Sequence, residues 1–207
     1  NVAQLTVSHR FGADSGIGCL ARTVVSGKSA EGWAQFALFP NELEIREGRL
    51  KQQAELLYRK HEKYWQAVDK NDVALAFGHA ADVVVLAAWR QDAEAFNEEY
   101  CRYLQRKHRA GADTPWFAGQ IIMIARNDYT LEVFNGDIGL IMPDAESANG
   151  LAAYFPNADG FKKIAISRLP QFESAFAMTV HKSQGSEYRE VWLLPPSGKI
   201  EQGGDDA

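Results

Sequence analysis

The run Asp82-Val83-Val84-Val85-Leu86-Ala87-Ala88 constrains this chain more than any other stretch. It is too short for a helix of ordinary length, rich in β-branched residues, and apolar without alternation, which suits a strand buried on both faces. Strands of that kind belong to parallel sheets covered by helices. Candidate helices flank it: Val73 to His79 before, and Asp92 to Arg106 after, with Asp92 able to cap the second. Farther upstream, Arg46 to Val68 sets charged residues against Leu50, Ala54, Leu57, Tyr64 and Val68 at helical spacing, predicting one long surface helix. Ile17 to Val25 predicts a short helix stopped near Ser26-Gly27, Gly32 to Glu44 a loop or short strand, and Gln4 to Ser8 a strand. Ala175 to Val180 and Val191 to Leu194 add two short apolar strands. The alternation of strand and helix predicts an α/β fold with a doubly wound parallel sheet.

Between Trp116 and Phe172 the pattern changes. Short β-like runs at Gln120 to Ala125, Leu131 to Phe134, Ile138 to Met142, Leu151 to Phe155 and Lys162 to Ser167 are separated by turn residues. Those breaks hold Asn127-Asp128, Asn135-Gly136-Asp137, Pro143-Asp144 and Asn157-Ala158-Asp159-Gly160, all suited to tight turns or positive φ. Such spacing predicts a small SH3-like β-barrel inserted into the larger sheet. The final Gly203-Gly204-Asp205-Asp206-Ala207 has the composition of a disordered tail.

Composition narrows the function classes. A net charge of −5 argues against a protein that embraces nucleic acid over its whole surface, so any contact with DNA must be local. Cys19 and Cys101 form no CxxC pair, which argues against a zinc framework or a disulfide lattice. The acidic pairs Glu98-Glu99, Asp69 with Asp72, and Glu42 with Glu44 have no histidine at ligand spacing; they read as solvated faces, and no metal site is expected. His61, His79 and His108 stand alone in the sequence. No apolar run reaches the ~18 residues of a membrane helix, and a cytoplasmic location is expected.

The chemistry concentrates in Ala177-Met178-Thr179-Val180-His181-Lys182-Ser183-Gln184-Gly185-Ser186-Glu187. A hydroxyl, an imidazole, an ammonium, an amide, a flexible glycine and a carboxylate follow an apolar strand, where open α/β sheets place their ligands. These groups suit phosphates and a sugar. A helix-capping explanation fits poorly, because Glu187 falls one place late after Ser183.

This segment resembles motif V of superfamily 1 DNA helicases of the RecD type. The stretch Leu5-Thr6-Val7-Ser8-His9-Arg10-Phe11 resembles motif IV of the same superfamily. The resemblance implies that Arg10 is an arginine finger at the γ-phosphate, that Gly185 and Glu187 serve the nucleotide, and that Thr179 and His181 meet the DNA backbone. Lys182, Ser183 and Gln184 are further candidates for phosphate contact. It further implies a RecA-like helicase domain 2A over residues 1–115 and 173–198, an SH3-like 2B insert over 116–172, and a tail over 199–207. Tyr129, Phe134 and Asn135 become candidate DNA contacts on the insert, beside their plain roles as turn and core residues.

No Gly-x-x-x-x-Gly-Lys-Ser/Thr run occurs, and neither an acidic Walker B motif nor an arginine-bearing motif VI is recognisable. The expectation is therefore a C-terminal piece of an ATP-dependent 5′-to-3′ helicase, inactive by itself. ATP and Mg²⁺ would be held largely by a first RecA-like domain of the same parent. Single-stranded DNA is the expected partner, joined by RecB and RecC if the parent is the exodeoxyribonuclease V alpha subunit. A non-enzymatic binding module and a stand-alone or relaxase-linked helicase are the alternatives.

Overall fold

A computed structural model describes residue 12, residues 14–111 and residues 114–197. The strand expected at Gln4 to Ser8, the candidate finger Arg10 and the expected tail at 199–207 lie outside the described residues. The chain divides into two units, Asn1–Gly48 and Arg49–Ala207.

In the first unit, helix α1 (Gly16–Val25) starts at Ser15, whose Oγ accepts from the Gly18 N–H at 3.1 Å. Gly27, at φ 69°, turns the chain into α2 (Ser29–Leu38). Part of this segment was expected to be loop or strand. Its spacing instead puts Trp33 and Phe36 together on one helical face, with ring centroids 5.7 Å apart.

The second unit opens with α3 (Leu50–Lys60) and α4 (Glu62–Asp69), which correct the expectation of one long helix. The break is His61, whose ψ of 19° departs from helical geometry. Its ring is only 2% exposed, and Nε2–H donates to the Val83 carbonyl at 3.3 Å. The helix gives way where this side chain reaches the neighbouring strand. Helix α5 (Val73–Ala80) follows, capped by Asp72 Oδ1 accepting from Leu75 N–H at 2.9 Å.

Strand β1 (Val83–Ala87) is buried along its whole length, as its sequence requires. Helix α6 (Arg90–Arg106) returns from it. The cap of α6 is Trp89 rather than Asp92; Asp92 lies in the first turn, buried, and its carboxylate accepts from the Ser197 N–H at 3.4 Å. Strands β2 (Gln120–Ile124), β3 (Ile138–Pro143), β4 (Leu151–Asn157), β5 (Gly160–Ala165) and β6 (Phe172–Ser174) come next, then β7 (Ala177–Thr179) and β8 (Glu190–Leu194).

Two sheets result. β7-β1-β8 is parallel throughout, registered by Val85 opposite Ala177 and Trp192. The other is antiparallel, in the order β5-β4-β3-β2-β6, and lies in sequence between β1 and β7. No strand forms at Leu131 to Phe134. Asp128 Oδ1 accepts from the Thr130 and Leu131 N–H groups, and Glu132 takes φ 48°, so only a single bridge between Asp128 and Val133 remains.

β2 is buried at every position, unusual for an antiparallel strand, because its two faces enter different cores. Ile121 and Met123 join Tyr64, Trp65, Phe96, Tyr100 and Phe176 in the core shared with the helices and the parallel sheet. Ile122 and Ile124 join Leu131, Val133, Ile141, Phe155 and Ile164 in a second core belonging to the antiparallel sheet. Gly119 makes the approach to β2 possible: at φ 82°, a Cβ there would lie 2.5 Å from the Trp65 ring. Its carbonyl accepts from the Tyr64 hydroxyl at 2.8 Å.

The chain passes from β6 to β7 through Ala175 and Phe176, and Asn97 of α6 clasps that crossing. Its Nδ2 donates to the Ser174 and Ala177 carbonyls at 2.8 and 2.9 Å, and its Oδ1 accepts from the Ala177 N–H at 2.8 Å. One buried amide thereby sets where β7, and the polar loop after it, begins.

Candidate functional site

Because β1, β7 and β8 run parallel, their carboxyl ends share one edge of the sheet. Three segments leave that edge: Ala88-Trp89 into α6, the 180–186 turn after β7, and Pro195-Pro196-Ser197 after β8. The last of these meets the first turn of α6. Gln91 Nε2 donates to Ser197 Oγ at 3.4 Å, and Trp89, Arg90, Gln91 and Glu94 line an open concavity.

The 180–186 segment is a series of tight turns. Thr179 closes the strand, and the Val180 N–H donates to Ala87 O at 3.0 Å, so the turn is anchored on β1. Thr179 Oγ1 accepts from the Lys182 N–H at 3.4 Å, and the Ser183 hydroxyl donates to the Val180 carbonyl at 2.8 Å. Two candidate ligand hydroxyls therefore also hold the turn together. Gly185 takes φ 89°, with open space where a Cβ would sit, so glycine serves the backbone conformation here. His181, Gln184 and Glu187 are exposed, whereas Lys182 and Ser183 are half-buried.

The structure places Thr179, His181, Lys182, Ser183, Gln184, Gly185 and Glu187 on one loop at the carboxyl edge of the parallel sheet. Arg10 lies outside the described residues. Tyr129 is 77% exposed and meets half-exposed Phe134 edge-to-face, centroids 5.9 Å apart, on the loop before β3. Asn135 takes a turn role, its N–H donating to Asn127 Oδ1 at 2.8 Å.

Charge is distributed around this edge in pairs. Lys182 Nζ donates to Glu173 Oε1, and Arg90 reaches Glu173 Oε2 at 3.3 Å and Glu94 at 2.6 Å. The Glu94 hydrogen bond and then the Glu173 charge favour the protonated guanidinium of Arg90 further. Among the described residues, no three His, Cys, Asp or Glu side chains gather as a metal ion would need. No helix of the described residues is long and apolar enough to cross a membrane. The acidic residues assigned to solvated faces have specific roles: Asp69 pairs with Arg109 through both oxygens, and Glu98 and Glu99 both pair with Arg102. The Arg109 hydrogen bond holds the Asp69 carboxyl below the usual carboxylate range.

No protein-family model matches the chain. Against curated proteins it is 31% identical over 220 residues to RecBCD enzyme subunit RecD of Mycobacterium tuberculosis, a match covering 94% of this chain and 34% of that protein. It is 29% identical over 222 residues to the subunit of the same name from Haemophilus influenzae, covering 95% and 33%. This chain is a relative of RecD. It spans about one third of the length of the curated relatives it matches. Among solved structures, a Pif1 helicase from Bacteroides in complex with ADP-AlF3 and ssDNA aligns over 66% of this chain and 44% of that one. The identity there is 13% and the TM-score 0.37.

Relationship to RecD does not assign individual side chains, and the geometry adds several that sequence reading missed. Trp89 and Arg90 carried a signal, since they follow the strand that most plainly belonged to a parallel sheet. Asn97 carried one only as part of the helix after that strand, which resembles a segment of the helicase family, and Glu173 carried none. Each sits within a regular element, and its significance depends on contacts with residues 9 and 80 positions away.

Proposed function

We propose that this chain is part of an ATP-dependent 5′-to-3′ DNA helicase of the RecD type, supplying one wall of the nucleotide cleft and part of the single-strand track. The observation that carries the reading is the 179–187 loop at the carboxyl edge of a parallel sheet, in a chain similar to RecD along nearly all of its length. On this reading residues 1–115 and 173–198 form a RecA-like domain, and 116–172 an SH3-like insert whose exposed Tyr129 and Phe134 flank the strand. Thr179, His181, Lys182, Ser183 and Gln184 serve the DNA backbone, Gly185 and Glu187 the nucleotide, and Arg10 the transferring phosphoryl group. A loop bonded to both ligands couples nucleotide state to grip on DNA. ATP and Mg²⁺ are held mainly by another RecA-like domain of the parent, a cytoplasmic protein acting with RecB and RecC in double-strand-break repair.

Nucleotide-dependent docking tests this. A separately produced first RecA-like domain, loaded with an ATP analogue, is expected to recruit the chain, and Arg10→Ala or Glu187→Ala is expected to weaken recruitment. The chain alone should show no ATPase. Recruitment indifferent to nucleotide and to both substitutions would refute the motor reading in favour of a non-enzymatic binding module.

A further inference from the structure

Arg90, Glu94 and Asn97 recur at i, i+4 and i+7 on α6, placing them along one helical face. That face meets the crossing from β6 to β7: Asn97 clasps residues 174–177, while Arg90 reaches Glu173 one position before the clasp. From the far side of the crossing, Lys182 returns to the same carboxylate. Glu173 pairs across β2 with Met123 and so belongs to the antiparallel sheet, yet its two oxygens face cations from two segments at the edge of the parallel sheet.

The geometry is that of an anion site filled by the protein's own carboxylate. Lys182 brings a compact ammonium and Arg90 a planar fork, and each takes one oxygen of Glu173. Glu173 and Lys182 are each about one quarter exposed, so the pair is neither a freely solvated surface contact nor sealed from an incoming ligand. Arg90, 69% exposed, can swing toward solvent while Glu94 guides it. Trp89 lines the same open concavity as Arg90, which adds an aromatic surface to the cations, the combination that grips single-stranded nucleic acid.

We propose that Lys182 and Arg90 form a two-cation phosphate subsite for a single-stranded nucleic acid, and that Glu173 is its positioning residue. Glu173 gathers the two cations when no strand is bound and yields them to a strand phosphate. The subsite's ligand rests on the single-strand reading above; the gathering by Glu173 does not.

The test uses the full chain and a fluorescent oligo(dT). Glu173→Gln is expected to tighten binding at least about threefold at low salt and to steepen the salt dependence by about 0.7 in logarithmic slope, one freed phosphate contact. In a Lys182→Met background the same substitution should tighten binding markedly less. Equal tightening in both backgrounds, or by Glu98→Gln, whose carboxylate pairs with Arg102 and with neither subsite cation, would reduce the effect to bulk charge and overturn the subsite. Amide exchange without DNA tests the gathering separately. Glu173→Gln should speed exchange across 180–186 while leaving β1 unchanged, and unaltered exchange would overturn the role of Glu173 even if DNA binds. Faster exchange in a chain that binds no oligo(dT) would discard the single-strand reading and leave the positioning role standing.

Discussion

Replacing Asn97 with alanine should destabilise the second unit by about 3 kcal/mol, taking about 1 kcal/mol for each of the three hydrogen bonds its amide makes. The figure is set by burial. Asn97 is 8% exposed, so water cannot readily replace its contacts with the Ser174 carbonyl and the Ala177 N–H and carbonyl. The loss falls at the junction of the two sheets, so it should also loosen β7 and the loop it launches. Asn97→Asp keeps the acceptor for Ala177 N–H but sets a carboxylate against two carbonyl oxygens, and should cost at least as much as alanine. Urea unfolding followed by circular dichroism measures the effect. With a slope of about 2 kcal/mol per molar, the midpoint should fall by about 1.5 M. A loss below about 1 kcal/mol at unchanged slope would refute the clasp. It would mean that the packing of Phe176 on Tyr100, centroids 4.7 Å apart, holds the crossing unaided.

Two further substitutions probe the core. Burial pulls the His61 pKa down from 6.5 to about 4, against the smaller opposing pull of the Val83 carbonyl, so the fold prefers the neutral ring. Stability from this group is complete above pH 6.5 and should decline by about 3 kcal/mol as pH falls toward 4, at 1.36 kcal/mol per unit. His61→Leu should flatten that part of a pH series of urea midpoints, and an unchanged decline would assign it to other groups. Gly119→Ala should cost about 2–4 kcal/mol in thermal or urea unfolding, combining a strained positive φ with a Cβ driven against Trp65. A cost under about 1 kcal/mol would show that the indole yields easily.

Strand β1 was legible because burial on both faces leaves a local mark. Val83 to Ala87 cannot be read as a half-solvated strand, and the polar cluster after Met178 could sit only at a strand's carboxyl end. The break at His61 was not legible, since Leu57, Tyr64 and Val68 keep helical spacing across it and the cause lies 22 residues away at the Val83 carbonyl. The Leu131 to Phe134 segment misled for the opposite reason. Leu131 and Val133 are buried as a strand's would be, but the Asp128 turn and Glu132 at positive φ decide the backbone.

Periodicity and composition, which act between near neighbours, determined by themselves that this chain builds a parallel sheet, a run of short antiparallel strands and a phosphate-suited loop. Only the tertiary structure decided that Asn97 fixes the crossing between the sheets, and that Glu173 joins Lys182 to Arg90. A carboxylate or an amide within a regular element has the same local pattern whether it faces water or a distant partner. Its energy depends on which charges and carbonyls the fold carries to within about 3 Å of it.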